Sequence, residues 1–267
     1  MIEFHKYRTR IIDKYNNKDS KAFVILTACH NKFKYIKDCL NSVISQDYRP
    51  ICLTWVDDSS TDNSLQYIIN CRSLLRDNDI GFTIISNVSK SGCSTAYRIA
   101  ASQSIGRYFG VLDADDMLMQ HSCSFVSSIY EKNKDLTYLW TQFQICNSDM
   151  VYKKSGISQP PDPGESMLSM GKVHTFSHWR TFSNKIDKDT VFCSGLKRAV
   201  DKYMGYKLEE MGPGAFVNKE CYKYREGVRS SVTNKNSKPT WEMVIRGAKK
   251  RRMIHHINPF PIRSINV

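Results

Sequence analysis

Three carboxylates stand within four residues at Asp113-Ala114-Asp115-Asp116, directly after the apolar run Tyr108-Phe109-Gly110-Val111-Leu112. Carboxylates that close repel one another, and a cation among them relieves the repulsion. All-oxygen donors suit Mg2+ or Mn2+. An acidic first turn of a helix accounts for one such aspartate without any ligand, but it is a poor account of three. A second acidic pair, Asp57-Asp58, follows the apolar run Ile51-Cys52-Leu53-Thr54-Trp55-Val56 and precedes Ser59-Ser60-Thr61. A carboxylate in that position can accept a hydrogen bond from a ligand's ring N–H or cap the next helix, and the two roles are compatible.

Both clusters need elements to hold them. Ala22–Leu26 reads as a buried strand, and Tyr35, Ile36, Leu40, Val43 and Ile44 have helical spacing within 34–46. Ile51–Val56 is a second strand, and Leu65, Ile68, Ile69 and Leu75 mark the next helix. Phe82–Ile85, a helix over 94–104 and the strand Tyr108–Leu112 continue the alternation. Strand and helix in regular alternation predict a mostly parallel sheet with crossover helices. The acidic and hydroxyl residues fall just past strand C-termini, the edge at which open α/β sheets bind ligands. Beyond residue 120 the pattern predicts a helix over 125–130, strand fragments at 138–140 and 143–145, and a Pro- and Gly-rich loop over 155–171.

The chain has 267 residues, 41% hydrophobic and 24% charged, which predicts one globular domain and excludes disorder or coiled coil as the main architecture. Its net charge of +13 points to phosphates, nucleic acid or an anionic membrane surface as partners. Nine cysteines are scattered with no CxxC pair, which argues against a zinc cluster or a disulfide framework and for a reducing cytoplasm. The first 20 residues are polar and charged, read as a lead-in helix or ordered arm without the apolar core of a signal peptide. No run approaches 18 apolar residues, so no span is expected.

Five ordered segments carry a resemblance. VILTACHNKFKYIKDCLNSVISQDY, WVDDSSTDNS, SKSGCSTAYRIAAS and YFGVLDADDML resemble the N-terminal half of family-two glycosyltransferases with the GT-A fold. SHWRTF at 177–182 resembles the HFRxF segment of bacterial chondroitin and hyaluronan synthases. AVDKYMGYKLEEMG at 199–212, with ECYKYREG at 220–227, is similar to their acceptor-side block. The resemblance covers roughly residues 22–232 and implies a mostly parallel central sheet flanked by helices. By matching position it implies that Asp57, with Asp58 beside it, recognises a uracil ring, while Thr27, Ala28 and Asn31 pack on base and ribose. Gly92, Asp113, Ala114, Trp179, Arg180 and Arg225 join the nucleotide-sugar contacts. Asp115 becomes the direct metal ligand with His178 as a further one, and Asp201 the catalytic base. Four positions depart from the family pattern: Ala28 replaces a proline, Val200 a glutamate, and Tyr97-Arg98 an Arg-Asn pair.

The implied activity is inverting transfer of a hexosyl or N-acetylhexosaminyl group from a nucleotide-diphospho-sugar, UDP-linked, to a glycan or lipid-linked hydroxyl. Mn2+ or Mg2+ would stabilise the departing diphosphate. The chain then divides into an arm (1–20), a nucleotide half (21–120), an acceptor half (121–239) and a tail (240–267). In the tail, Trp241, Val244, Ile245 and Ala248 form one helical stripe beside Arg246, Lys249, Lys250, Arg251 and Arg252. This predicts peripheral attachment to an anionic inner membrane, or else a docked helix with a solvated basic face. A nucleotidyltransferase would need a glycine-rich phosphate loop, which TACHNKFK lacks. A nucleic-acid binder is the other alternative, and no recognised motif or aromatic ladder supports one, so no nucleic-acid partner is expected.

Overall fold

A computed structural model describes residues 9–170, 176–196, 198–228 and 238–266. The first half runs β1 (Thr9–Tyr15), β2 (Phe23–Cys29), α1 (Ile36–Ile44), β3 (Ile51–Asp57), α2 (Ser64–Asn70), α3 (Arg72–Asp77), β4 (Ile80–Asn87), α4 (Cys93–Ser102) and β5 (Tyr108–Val111). The fully apolar runs become the central strands because both their faces are covered. Alternate residues of β2 show this. Phe23 and Ile25 enter one core cluster while Val24 and Leu26 enter the other. β4, β3, β2 and β5 lie parallel in that order, and β1 runs antiparallel along β4.

The second half comprises β6 (Met117–Leu118), α5 (Ser122–Lys132), β7 (Tyr138–Cys146), β8 (Tyr152–Ser155), α6 (Met167–Met170), β9 (Arg180–Ser183), α7 (Lys188–Val191), α8 (Val200–Glu209), β10 (Gly214–Arg225), α9 (Lys238–Ile254) and β11 (Ile262–Ile265). β9 lies antiparallel between β5 and β7 and so welds the two halves into one sheet. The order is β1-β4-β3-β2-β5-β9-β7-β10-β11, with β6 on β10 and β8 on β7.

Several expectations change. The two fragments expected around residues 138–145 are one strand, β7, because β10 pairs with it along its whole length. The arm contributes a strand rather than a helix: Thr9–Tyr15 pairs with 82–87. The tail is not an appendage, since β11 extends the sheet alongside β10 and α9 packs on α8. Of the two readings of the tail, the stripe follows the docked one and faces the protein, with Val244 and Ala248 buried. Among the described residues, no helix is long and apolar enough to cross a membrane.

Trp179 requires a correction. Its indole is fully buried, stacked on Phe23 at 5.3 Å, and belongs to the core rather than to a ligand surface. It lies flat against β5 because Gly110 has no side chain; a Cβ there would stand 2.4 Å from the ring. Gly110→Ala therefore overpacks this contact and should cost about 1–3 kcal/mol in urea unfolding. Adding Trp179→Phe, which removes the clashing ring, should recover part of that loss; an unchanged midpoint in Gly110→Ala would show that the indole is not held where the packing puts it.

Candidate active site

The acidic turn follows β5 and folds back on itself, with the Asp116 N–H donating to the Asp113 carbonyl at 3.0 Å. Each of its carboxylates has a different neighbour. Asp113 accepts a hydrogen bond from the Tyr97 hydroxyl and lies 3.9 Å from the Arg180 guanidinium. Asp115 is held by Lys32 Nζ at 2.5 Å. Asp116 is buried, accepting from the Arg225 N–H at 2.7 Å and from the Tyr222 hydroxyl at 2.8 Å. The Tyr222 oxygen in turn accepts from the Asp113 N–H at 3.2 Å, so one phenol ties both ends of the turn. Burial, then the charges of Asp115 and Asp113, push Asp116 well above the usual carboxylate range. Burial also raises Asp115, with Lys32 opposing it and Asp113 adding to it. Ala114 turns its methyl into the core.

β9 delivers the next groups. His178 is stacked between Tyr222 and Tyr224, at 4.6 and 5.5 Å. Burial, reinforced by the Arg180 charge, pushes its pKa down to about 3, so the ring is neutral at physiological pH. Arg180 approaches His178 Nδ1 at 3.2 Å; a guanidinium only donates, so Nδ1 accepts and the neutral ring carries its proton on Nε2, and an ion can take a ring nitrogen only by displacing Arg180. Burial alone would lower the Arg180 pKa, but Asp113 and then Asp201 outweigh it and hold it above the ordinary value. Its Nε is buried without a partner.

Asp113, Asp116 and His178 each offer a ligand atom, all within 4.8 Å of one another. Ligands about 2.1 Å from one cation would stand roughly 3–4 Å apart, so the group fits a divalent ion after a small contraction. Carboxylate oxygens with a neutral imidazole suit Mn2+ or a similar ion. Asp115 lies outside this group. Its carboxylate is paired with Lys32 Nζ, whereas Asp116 stands within the group.

The exits of β2 and β3 form the other side. Asp57 is buried; its Oδ2 accepts from the Ser60 N–H at 3.0 Å, and its Oδ1 has no partner. Burial raises its pKa. Asp58 is instead saturated, its oxygens taken by Asn87, both polar groups of Ser91 and the Gly92 N–H. It fastens the loop before α4 rather than presenting a free acceptor. Gly92 has φ +91, a conformation L side chains rarely adopt, and this lets its N–H turn to Asp58. Asn31 bridges the two exits, its side-chain oxygen accepting from the Thr61 and Asp62 N–H groups. Thr27 is fully buried with an unpartnered hydroxyl, and Ala28 is half-buried beside it.

Asp201 lies in the first turn of α8, after Ala199 in a left-handed conformation, and is half-buried. Its charge reaches Arg180, which also lies 3.9 Å from Asp113. Arg225 is the second correction. Its Nε donates to the Asp115 carbonyl at 2.7 Å, one terminal nitrogen to the Ser148 carbonyl and the other to Asp38 at 2.7 Å. With its guanidinium committed and its side chain 2% exposed, it braces the acidic turn from behind and is not free to meet a diphosphate.

Sequence reading missed Asp116, Tyr222 and Lys32. Asp116 was visible as the fourth letter of the turn, but only the 113–116 backbone bond brings it round to Asp113. Tyr222 and Lys32 carried no local signal, since both act across more than 80 residues.

The profile of Glycosyl transferase family 2 matches residues 24–205. Chondroitin synthase of Pasteurella multocida is 27% identical over 237 residues, covering 88% of this chain and 24% of that protein. Hyaluronan synthase of Pasteurella multocida is 28% identical over 213 residues, covering 79% of this chain and 21% of that one. The chain thus spans about a quarter of the length of these relatives. S. aureus TarS 1-349 in complex with UDP-GlcNAc superposes with TM-score 0.70 at 21% identity, over 87% of this chain and 66% of that one. The mannosyltransferase PcManGT from Pyrobaculum calidifontis in complex with GDP-Man and Mn2+ superposes with TM-score 0.53 at 15% identity, over 90% and 65%. The fold is GT-A, as the segments implied.

Tyr222→Phe removes the hydroxyl that ties Asp113 to Asp116. It should lower unfolding free energy by about 1–3 kcal/mol, the cost of leaving buried partners unpaired. By loosening two candidate ion ligands it should also weaken Mn2+ binding about 10–100-fold in titration calorimetry. Unaltered Mn2+ affinity would separate the phenol from the ion site.

Proposed function

The chain belongs to glycosyl transferase family 2, and from that premise we propose that it moves a hexosyl or N-acetylhexosaminyl group from a UDP-sugar to a hydroxyl of a surface or lipid-linked glycan, with inversion. The observation that carries this reading is the pairing of an ion-binding cluster, Asp113, Asp116 and His178, with an unpartnered buried carboxylate oxygen on Asp57. A uracil ring N–H would satisfy that oxygen, which is costly to bury alone. The UDP-GlcNAc complex of TarS supports a UDP-linked donor, and the synthases' names support a glycan acceptor.

Asp113, Asp116 and His178 would hold the divalent ion, Mn2+ or Mg2+, which supplies Lewis-acid stabilisation of the diphosphate leaving group. Arg180, with its free Nε, and Lys32 add fixed positive charge for the same oxygens. Thr27, Ala28, Asn31 and Gly92 shape the base and ribose side. Asp201 takes the proton from the acceptor hydroxyl as that oxygen attacks the anomeric carbon opposite the departing diphosphate. On this reading the reaction runs in the cytoplasm at the inner face of the membrane, where a lipid-linked glycan would present its hydroxyl.

A thermal-shift series with UDP-sugars and Mn2+ tests the donor: a bound donor raises apparent stability by mass action, and no response to any of them would overturn the UDP reading. Asp201→Asn should lose transfer by about 10²–10⁴-fold while UDP affinity stays at the wild-type value; full transfer by this variant would remove the base from Asp201. Asp116→Asn should weaken Mn2+ binding more than Asp115→Asn does. The opposite ranking would return the ion to Asp115.

A further inference from the structure

α9 divides cleanly between two arcs. At about 100° per residue, Trp241, Val244, Ile245, Ala248, Arg251 and Arg252 share the inward side. Val244 and Ala248 are buried, and Lys202 lies over the Trp241 ring at 4.8 Å. Arg251 grips Glu210 with two nitrogens at 2.7 and 2.8 Å, and Arg252 reaches Glu209 at 2.7 Å and Glu210 at 3.2 Å. These two arginines are therefore consumed in fixing the helix to α8.

The outward side is built differently. Arg246, Lys249 and Lys250 are exposed, with no acidic partner among the described residues. Between them stand Met243 at 53%, Ile254 at 52% and Met253 at 71% exposure, and Phe260 follows at 44%. His255 and His256 are exposed in the same stretch. Glu242 is the one acidic residue of this arc, at its N-terminal end, and from Met243 to Val267 the sequence contains no Asp or Glu.

We propose that this outward face, with the segment through Phe260, docks on an anionic lipid bilayer. Apolar and cationic side chains interleaved on one rigid helix face match the headgroup boundary, where methionine and isoleucine enter the acyl layer and lysine and arginine remain at the phosphates. A phosphodiester backbone would engage the cations and leave the large apolar side chains in water, so nucleic acid fits the face less well. The helix lies on the bilayer and does not cross it. Its first turn neighbours Lys202, next to Asp201, so a docked chain holds the acceptor side of the site near the lipid. This deepens the lipid-linked acceptor proposed above and rests on it only for purpose.

Co-sedimentation of the full chain with phosphatidylcholine vesicles, and with phosphatidylcholine–phosphatidylglycerol vesicles, tests the face. Binding should require phosphatidylglycerol and weaken as salt rises. Lys249→Gln and Lys250→Gln should each weaken it about fivefold, and the double variant Met253→Ser/Ile254→Ser by at least as much. UDP binding should stay unchanged in all of them, which keeps a failed surface distinct from a failed transferase reading. Equal binding to both vesicle types, no binding to either, or wild-type binding by the variants would overturn the proposal. So would preferential binding to random duplex DNA that ignores the Met253→Ser/Ile254→Ser change.

Discussion

Electrostatic repulsion among Asp113, Asp115 and Asp116 is the constraint around which the rest of the molecule is arranged. Three carboxylates within one tight turn, two of them with raised pKa values, would not stay together without compensation. The protein compensates unevenly. Lys32 neutralises Asp115 from the β2 exit, Tyr97 donates from α4, and Tyr222 and the Arg225 backbone donate from β10. Arg225 then braces the turn through the Asp115 carbonyl. Asp113 shares the Arg180 guanidinium at 3.9 Å and Asp116 receives hydrogen bonds but no close cation, which leaves charge for an ion to take up beside the neutral His178.

That arrangement explains why the two halves share one sheet. β9 carries Arg180 from its first residue, and His178 two residues earlier, to the end of β5 where the acidic turn begins. β10 brings Tyr222 and Arg225 to the same turn from the opposite direction in the chain. A separate acceptor lobe could not place these groups with hydrogen-bond accuracy, because a lobe hinge would move them relative to β5. Trp179 serves the same junction, filling the space over Gly110 and stacking on Phe23 of β2.

The peripheral elements follow a related logic of charge disposal. A chain with net charge +13 must place its cations somewhere. Some are spent on ion pairs: Arg251 and Arg252 on Glu210 and Glu209, Arg225 on Asp38, Arg72 and Arg76 on Asp13. Arg246, Lys249 and Lys250 are left to the solvent on one face of α9. The division was illegible from the run Lys249-Lys250-Arg251-Arg252, because four consecutive basic residues point in four directions on a helix.

Sequence alone determined the local order: which runs are strands buried on both faces, where helices cross over, and that acidic residues cap two neighbouring strands. Those are properties of periodicity and composition, set within windows of a few residues. Through ordered resemblance it also singled out His178, Arg180 and Asp201 as candidates. Only the tertiary structure decided which aspartate oxygens are free. Asp57 and Asp58 are adjacent and chemically identical, yet Asn87, Ser91 and Gly92 saturate one and leave the other with a bare oxygen. Lys32 reaches Asp115 and not Asp116, so only Asp116 stands with Asp113 and His178 in the group that could hold an ion. Such choices depend on partners 29 to 83 residues away, and no local pattern encodes which of two neighbouring carboxylates a distant donor will meet.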